Sequence, residues 1–193
     1  MNFAIIAQQL VSGMGSSLMI FVLTLLFSMP LGLLVAFGRM SKIKPLQAVI
    51  KVFIAILRGT PLMLQLMVVY FGPFYLFGMN IGKWRFPAII TGFALNYGAY
   101  FAEIYRSGIE SIPKGQYEAA SVLGYNKNQT FFRIIFPQMV KRVLPPVTNE
   151  VITLVKDTSL AFVLAYEEMF TVAKQIASAR TSIMPLFVAG VFY

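Results

Sequence analysis

Cysteine and histidine are both absent from the 193 residues. Without cysteine there are no disulfides and no thiolate metal sites, so the redox compartment stays open; without histidine the usual proton shuttle and imidazole metal ligand are missing. Charge is scarce, at 12% of residues, and acids scarcer, with seven Asp and Glu against sixteen Lys and Arg for a net +9. No G-x-x-x-x-G-K-[ST] segment occurs, and without that cradle of backbone amides and its lysine the chain is not expected to bind ATP. With no His, Cys or Ser-base arrangement to supply an activated nucleophile, an intramembrane enzyme is disfavoured. A fixed-period repeat is lacking too, which leaves solenoids and propellers without support. The apolar N-terminus has neither the basic region nor the small-residue cleavage site of a removable signal peptide, so the first apolar segment is expected to be retained.

What fills the chain is apolar: 58% hydrophobic residues and a mean hydropathy of +0.75, well above a soluble domain. Each membrane span takes about 20 residues plus its connection, so one helical membrane domain over residues 1–193 is expected, all-α with about five transmembrane helices. Ser16–Phe37 reads as the first span, with Gly13-Met14-Gly15 as a flexible lead into it. Leu46–Phe77 is too long for one upright helix and carries Arg58-Gly59-Thr60-Pro61 in its middle, where it should break or kink. Pro87–Tyr105 is a third span, and Arg106–Arg133 the longest polar connection. Ile134–Tyr166 is a fourth apolar region that Pro145-Pro146 is expected to interrupt; Glu167–Ser182 reads as a loop, and Ile183–Tyr193 as half of a last span. Trp84, between Lys83 and Arg85, suits an interfacial anchor, while Met63, Met67 and the phenylalanines read as packing.

The basic residues are dispersed among apolar spans and not gathered on one face with stacking aromatics, which excludes nucleic acid as the partner. Their distribution instead orients the chain, because Lys and Arg near span ends stay on the cytoplasmic side. Arg39, Lys42 and Lys44 in the first loop, and Arg106, Lys114, Lys127 and Arg133 in the third, belong inside. The N-terminus is then expected outside and the third loop in the cytoplasm.

That loop holds Glu118-Ala119-Ala120-Ser121-Val122-Leu123-Gly124, followed by Ile134-Ile135-Phe136-Pro137. Pro113 is placed to open a helix and Gly124 to stop it in a left-handed conformation. Ala119, Ala120 and Leu123 are expected on one face, with the alanines small enough for another protein to approach closely. This order resembles the EAA loop of importer-type ABC transporter permeases, with Phe136 in place of the leucine of their Ile-x-Leu-Pro ending. Arg58-Gly59-Thr60-Pro61-Leu62, Tyr100–Arg106, Ile112–Gln116 and Lys156-Asp157-Thr158-Ser159-Leu160 are similar to the polar amino-acid branch of that family, and the agreement extends over residues 12–170. The resemblance implies a type I ABC importer transmembrane domain acting as a homodimer or beside a similar permease subunit. It also implies two cytoplasmic ATPase subunits that hold ATP and Mg, and an extracellular solute-binding protein that delivers an amino acid. On this reading residues 113–129 form the coupling loop, with Glu118, Ala119, Ala120 and Gly124 its ATPase-coupling residues. Glu118 either pairs with a basic group of the partner or simply favours the N-terminal half of its helix.

Ionisable groups at membrane depth cost roughly 2.5–3.5 kcal/mol each on insertion scales, so Glu103, Glu150, Lys156 and Asp157 need partners or a watery cavity. The transport reading makes Asn96, Glu103, Asn149, Glu150, Asp157, Thr158 and Ser159 a substrate site, with hydroxyls donating to an amino acid's carboxylate and an acid holding its amino group. The acids favour a basic amino acid. The structural alternatives are a Glu103–Arg106 pair at i,i+3 and a pair between Lys156 and an acid on a neighbouring helix. An ion-coupled secondary transporter or channel, with the carboxylates carrying protons or sodium, is the competing function.

Overall fold

The computed structural model describes residues 3–193, with side chains from Ile6 onward, and all regular structure among the described residues is helical. Helix α1 runs Phe3–Arg39, α2 Lys44–Gly59, α3 Leu62–Phe77 and α4 Arg85–Glu110. The third loop holds α5 (Lys114–Val122) and the single turn α6 (Lys127–Gln129), which leads through a π-helical stretch, Thr130–Ile135, into α7 (Phe136–Asp157). A 3₁₀ segment, Thr158–Leu164, precedes α8 (Met169–Arg180) and α9 (Met184–Phe192).

Alpha-1 is the one described helix that is by itself both long and apolar enough to cross a membrane, and α2 with α3 passes together as a pair bent by 112°. Helices α4 and α7, at 26 and 22 residues, also exceed the roughly 30 Å of hydrocarbon at about 1.5 Å per residue, but carry more charge. The bend falls at Thr60-Pro61, where the sequence places it. Pro61 lacks the N–H that would close the next turn, and α3 restarts behind it.

Three expectations give way. Gly13-Met14-Gly15 is not a lead but lies inside α1, because Gly13 is pressed on α8: a Cβ there would come within 2.8 Å of the Met169 Cα. Pro145 and Pro146 do not interrupt α7. The carbonyls they leave without donors belong to Lys141 and Arg142, both exposed, where other donors can reach them. Glu167–Ser182 is mostly the helix α8, not a loop. Pro113 opens α5 as expected, from the N-cap position just outside it.

Alpha-4 is the hub. It buries residues along its whole length, among them Ile89, Phe93, Tyr97 and Phe101, against Ile20 of α1, Leu66 and Tyr70 of α3, Leu154 of α7 and Leu164. Thr24, Ser28, Gly32 and Ala36 line one stripe of α1 at four-residue spacing and are all buried. Alpha-1 and α4 come close at Gly32, where a Cβ would fall 2.7 Å from that of Phe101, the close approach that small residues give membrane helices. The opposite faces of the outer helices expose apolar side chains such as Leu34, Val49, Val68 and Leu76, as suits a solvent of hydrocarbon.

Candidate functional site

Two groups of sequence-predicted residues lie at separate places in the fold. The first is where α7 ends. Its last residue, Asp157, is half-buried, and its Oδ2 accepts a hydrogen bond of 2.7 Å from the Tyr97 hydroxyl on α4. The next two residues cap the helix they follow: the Thr158 hydroxyl donates to the Val155 carbonyl and that of Ser159 to the Lys156 carbonyl, each at 2.7 Å. These carbonyls are among the four that a helix C-terminus leaves unpaired, so both hydroxyls spend their protons locally and keep lone pairs for other donors. Thr158 also borders a cavity of about 190 Å³ beside Ser17, Phe21, Val155 and Tyr193. Glu150 lies seven residues before Asp157 on the same face of α7 and is half-buried; Asn149 is exposed.

The other predicted residues are engaged elsewhere. Glu103 accepts from Arg106 at 2.5 Å, and Arg106 also bridges to Glu110; this is the i,i+3 pair foreseen as an alternative to a substrate role. Asn96 is buried and donates both amide hydrogens, to the Leu57 carbonyl at 3.1 Å and to Gln65 Oε1 at 3.0 Å. Lys156 is exposed, and the ion pairs among the described residues are those of Arg106.

Sequence reasoning passed over Tyr97, one aromatic among many, and Glu168. The Glu168 carboxylate is wholly buried. It accepts from the Phe170 and Thr171 amides at 2.7 Å, and from the Thr171 and Tyr193 hydroxyls at 2.8 Å. It thus caps α8 and ties it to α9, while Ser17 of α1 accepts from the Met169 amide at 3.2 Å. Glutamate is not among the favoured N-caps, but its position three residues before Thr171, at the head of an apolar run, was the available signal.

The second place is α5. Gly124 is left-handed, with φ +76°; its amide donates to Ser121 and that of Tyr125 to Ala120, both at 3.0 Å. This is the paired bonding of a Schellman stop. The helix presents Ala119, Val122 and Leu123 outward, with Val122 88% and Leu123 72% exposed. Ala120 departs from the expected face: it is fully buried within the chain, about 100° around the helix from Ala119. Glu118 is exposed. Behind α5, Asn126 and Gln129 exchange the two bonds of a capping box, and Gln138 of α7 donates to Gln116 at 3.2 Å, so the loop is braced on the bundle.

Residues 28–193 match the family described as binding-protein-dependent transport system inner membrane component. The chain belongs to that family. The permease is 40% identical over 173 residues to the L-cystine transport system permease protein TcyB of Bacillus subtilis (strain 168), covering 89% of this chain and 72% of the relative. It is 34% identical over 185 residues to the arginine transport system permease protein ArtQ of the same organism, covering 95% and 84%. Among solved structures, one described as the crystal structure of an amino acid ABC transporter with histidines superposes with a TM-score of 0.88 at 32% identity, covering all of this chain and 91% of that one. The permease is accordingly a membrane subunit of an amino-acid ABC importer, with the all-helical type I transmembrane fold. Its part is transport, in a family that works with binding proteins and ATPases.

Proposed function

We propose that this permease moves a polar, basic amino acid across the cytoplasmic membrane by alternating access, driven by ATP hydrolysis on separate subunits. Two copies form the passage, an extracellular solute-binding protein loads it, and ATP with Mg sits on the ATPase partners. The N-terminus lies outside and residues 113–129 lie in the cytoplasm, where α5 docks on an ATPase subunit and passes its motion to the bundle. The observation that carries this reading is the free apolar face of α5, with Val122 and Leu123 exposed on an otherwise polar loop and its end fixed by Gly124. Glu118 stands on the same exposed helix for a basic partner group.

Asp157 is the residue best placed to meet a cationic substrate: its Oδ1 makes no hydrogen bond among the described residues, and an acid in a low-dielectric site favours a positive partner. Thr158, Ser159, Glu150 and Asn149 flank it on the same stretch of chain. The arginine relative and the histidine-containing neighbour support a basic substrate; the cystine relative supports a neutral or zwitterionic one. Competition decides the class. Uptake of labelled arginine into proteoliposomes holding the full importer is expected to be suppressed by excess lysine or histidine and not by excess cystine or glutamate. Suppression by cystine alone would overturn the basic assignment. Uptake that follows a proton or sodium gradient without ATP would favour the ion-coupled alternative.

A further inference from the structure

The elbow between α2 and α3 breaks the helical bonding of a long apolar stretch, and in a membrane a backbone carbonyl left unpaired is costly. Pro61 cannot donate to the Leu57 carbonyl four residues before it. Two side chains fill the gap. The Gln65 amide nitrogen lies 2.8 Å from the Leu57 carbonyl, 3.0 Å from that of Thr60 and 2.8 Å from the Thr60 hydroxyl, which itself donates to the Ile56 carbonyl at 2.8 Å. Asn96, reaching from α4, donates to the same Leu57 carbonyl and to Gln65 Oε1. One turn along α4, the Arg58 guanidinium lies 5.0 Å over the Tyr100 ring. A turn the other way, Gly92 admits Leu66 of α3, whose Cδ2 would stand 2.8 Å from a Cβ. The elbow is therefore seated on one face of α4 by three successive contacts, of which only the central one is hydrogen bonded on both sides.

We propose that Gln65 and Asn96 are a positioning pair: their amides stand in for the backbone bond that Pro61 cannot make, and so hold the α2–α3 elbow on α4 at its working bend. Side-chain amides suit this task, since they can rotate and re-form bonds while a continuous helix would have to break. Tyr97, the neighbour of Asn96, holds Asp157, so a displaced elbow would also disturb the α4 surface facing the end of α7. In this assignment Asn96 acts through the elbow and does not touch substrate. The transport arm of the test rests on the permease reading; the distance arm does not.

Because the chain has no cysteine, spin labels at Val52→Cys and Phe74→Cys, both exposed, report the elbow angle in the full importer in lipid nanodiscs. Gln65→Met and Asn96→Leu, which keep bulk and remove the amides, are expected to broaden the distance distribution about twofold. Each is expected to lower maximal uptake about tenfold with KM within about twofold, and the double variant to be no worse than the more harmful single, as for residues acting as one unit. Where the apolar variants do not accumulate, Asn96→Ser, smaller and with a single donor, must still broaden the distribution. Unchanged distances overturn the proposal whatever happens to uptake, and so does a raised KM at intact maximal rate, which would make Asn96 a substrate contact. An unaltered importer without ATP-dependent uptake would refute the transport reading alone.

Discussion

In the proposed site Asp157 has one donor among the described residues, Tyr97, and on the membrane reading a charge there would cost roughly 2.5–3.5 kcal/mol. A group so lightly satisfied suits the substrate contact proposed for it. Replacing Asp157 by Asn removes the charge and keeps the shape; because a hydrogen bond to a charged group contributes about 1.5–3 kcal/mol, uptake of a cationic substrate is expected to fall at least about tenfold. Membrane insertion, followed by fractionation, should be unchanged, and unaltered uptake would remove Asp157 from the site. Gly124 is a backbone case. Its φ of +76° costs an ordinary L-residue about 1–2 kcal/mol, so Gly124→Val is expected to fray the end of α5.

Among the elements, α8 shows how one buried side chain fixes a helix. Glu168→Ala removes the cap, worth about 0.5–2 kcal/mol, strands the Thr171 hydroxyl at about 1–3 kcal/mol, and leaves that of Tyr193 only its 3.5 Å contact with Ser17. Glu168→Gln keeps one acceptor oxygen. The thermal midpoint in detergent is expected to fall by several degrees for the alanine variant and by less for glutamine; equal midpoints for all three proteins would refute the cap. Sequence alone could reach the elements whose punctuation is covalent: the Pro61 break, the Gly124 stop and the apolar runs. It could not reach α8, since its N-cap is an atypical residue whose partners Ser17 and Tyr193 lie 151 and 25 positions away. Pro145-Pro146 misled because a proline removes a donor, and whether the helix survives depends on what satisfies the freed carbonyls. Of the candidate site, Asp157, Thr158 and Ser159 stand out in the sequence as a polar run within an apolar region. The Tyr97 contact does not, because it joins two helices 60 residues apart.

As a whole, α1, α2, α3 and α7 pack on α4, while α8 and α9 pack on α1 and on each other, and α1 and α7 approach α4 closely. A Cβ at Gly32 would overlap Phe101, so Gly32→Leu is expected to lower the yield of folded protein in detergent, by the 1–3 kcal/mol or more typical of overpacking; a normal thermal midpoint would show that the seam is looser. In the proposed coupling, a push on α5 would pass to α7 through the Gln116–Gln138 contact, with Arg142 holding the preceding turn at Ser111. The direct test is reconstitution of the permease with its ATPase and solute-binding protein in proteoliposomes, measuring amino-acid uptake and ATP hydrolysis together for the native chain and Gly124→Val. Uptake is expected to require ATP and the ATPase, and the Gly124→Val importer to hydrolyse ATP still while its uptake falls about tenfold or more. Full-rate accumulation without the ATPase, or a Gly124→Val importer as active as the native one, would contradict that coupling.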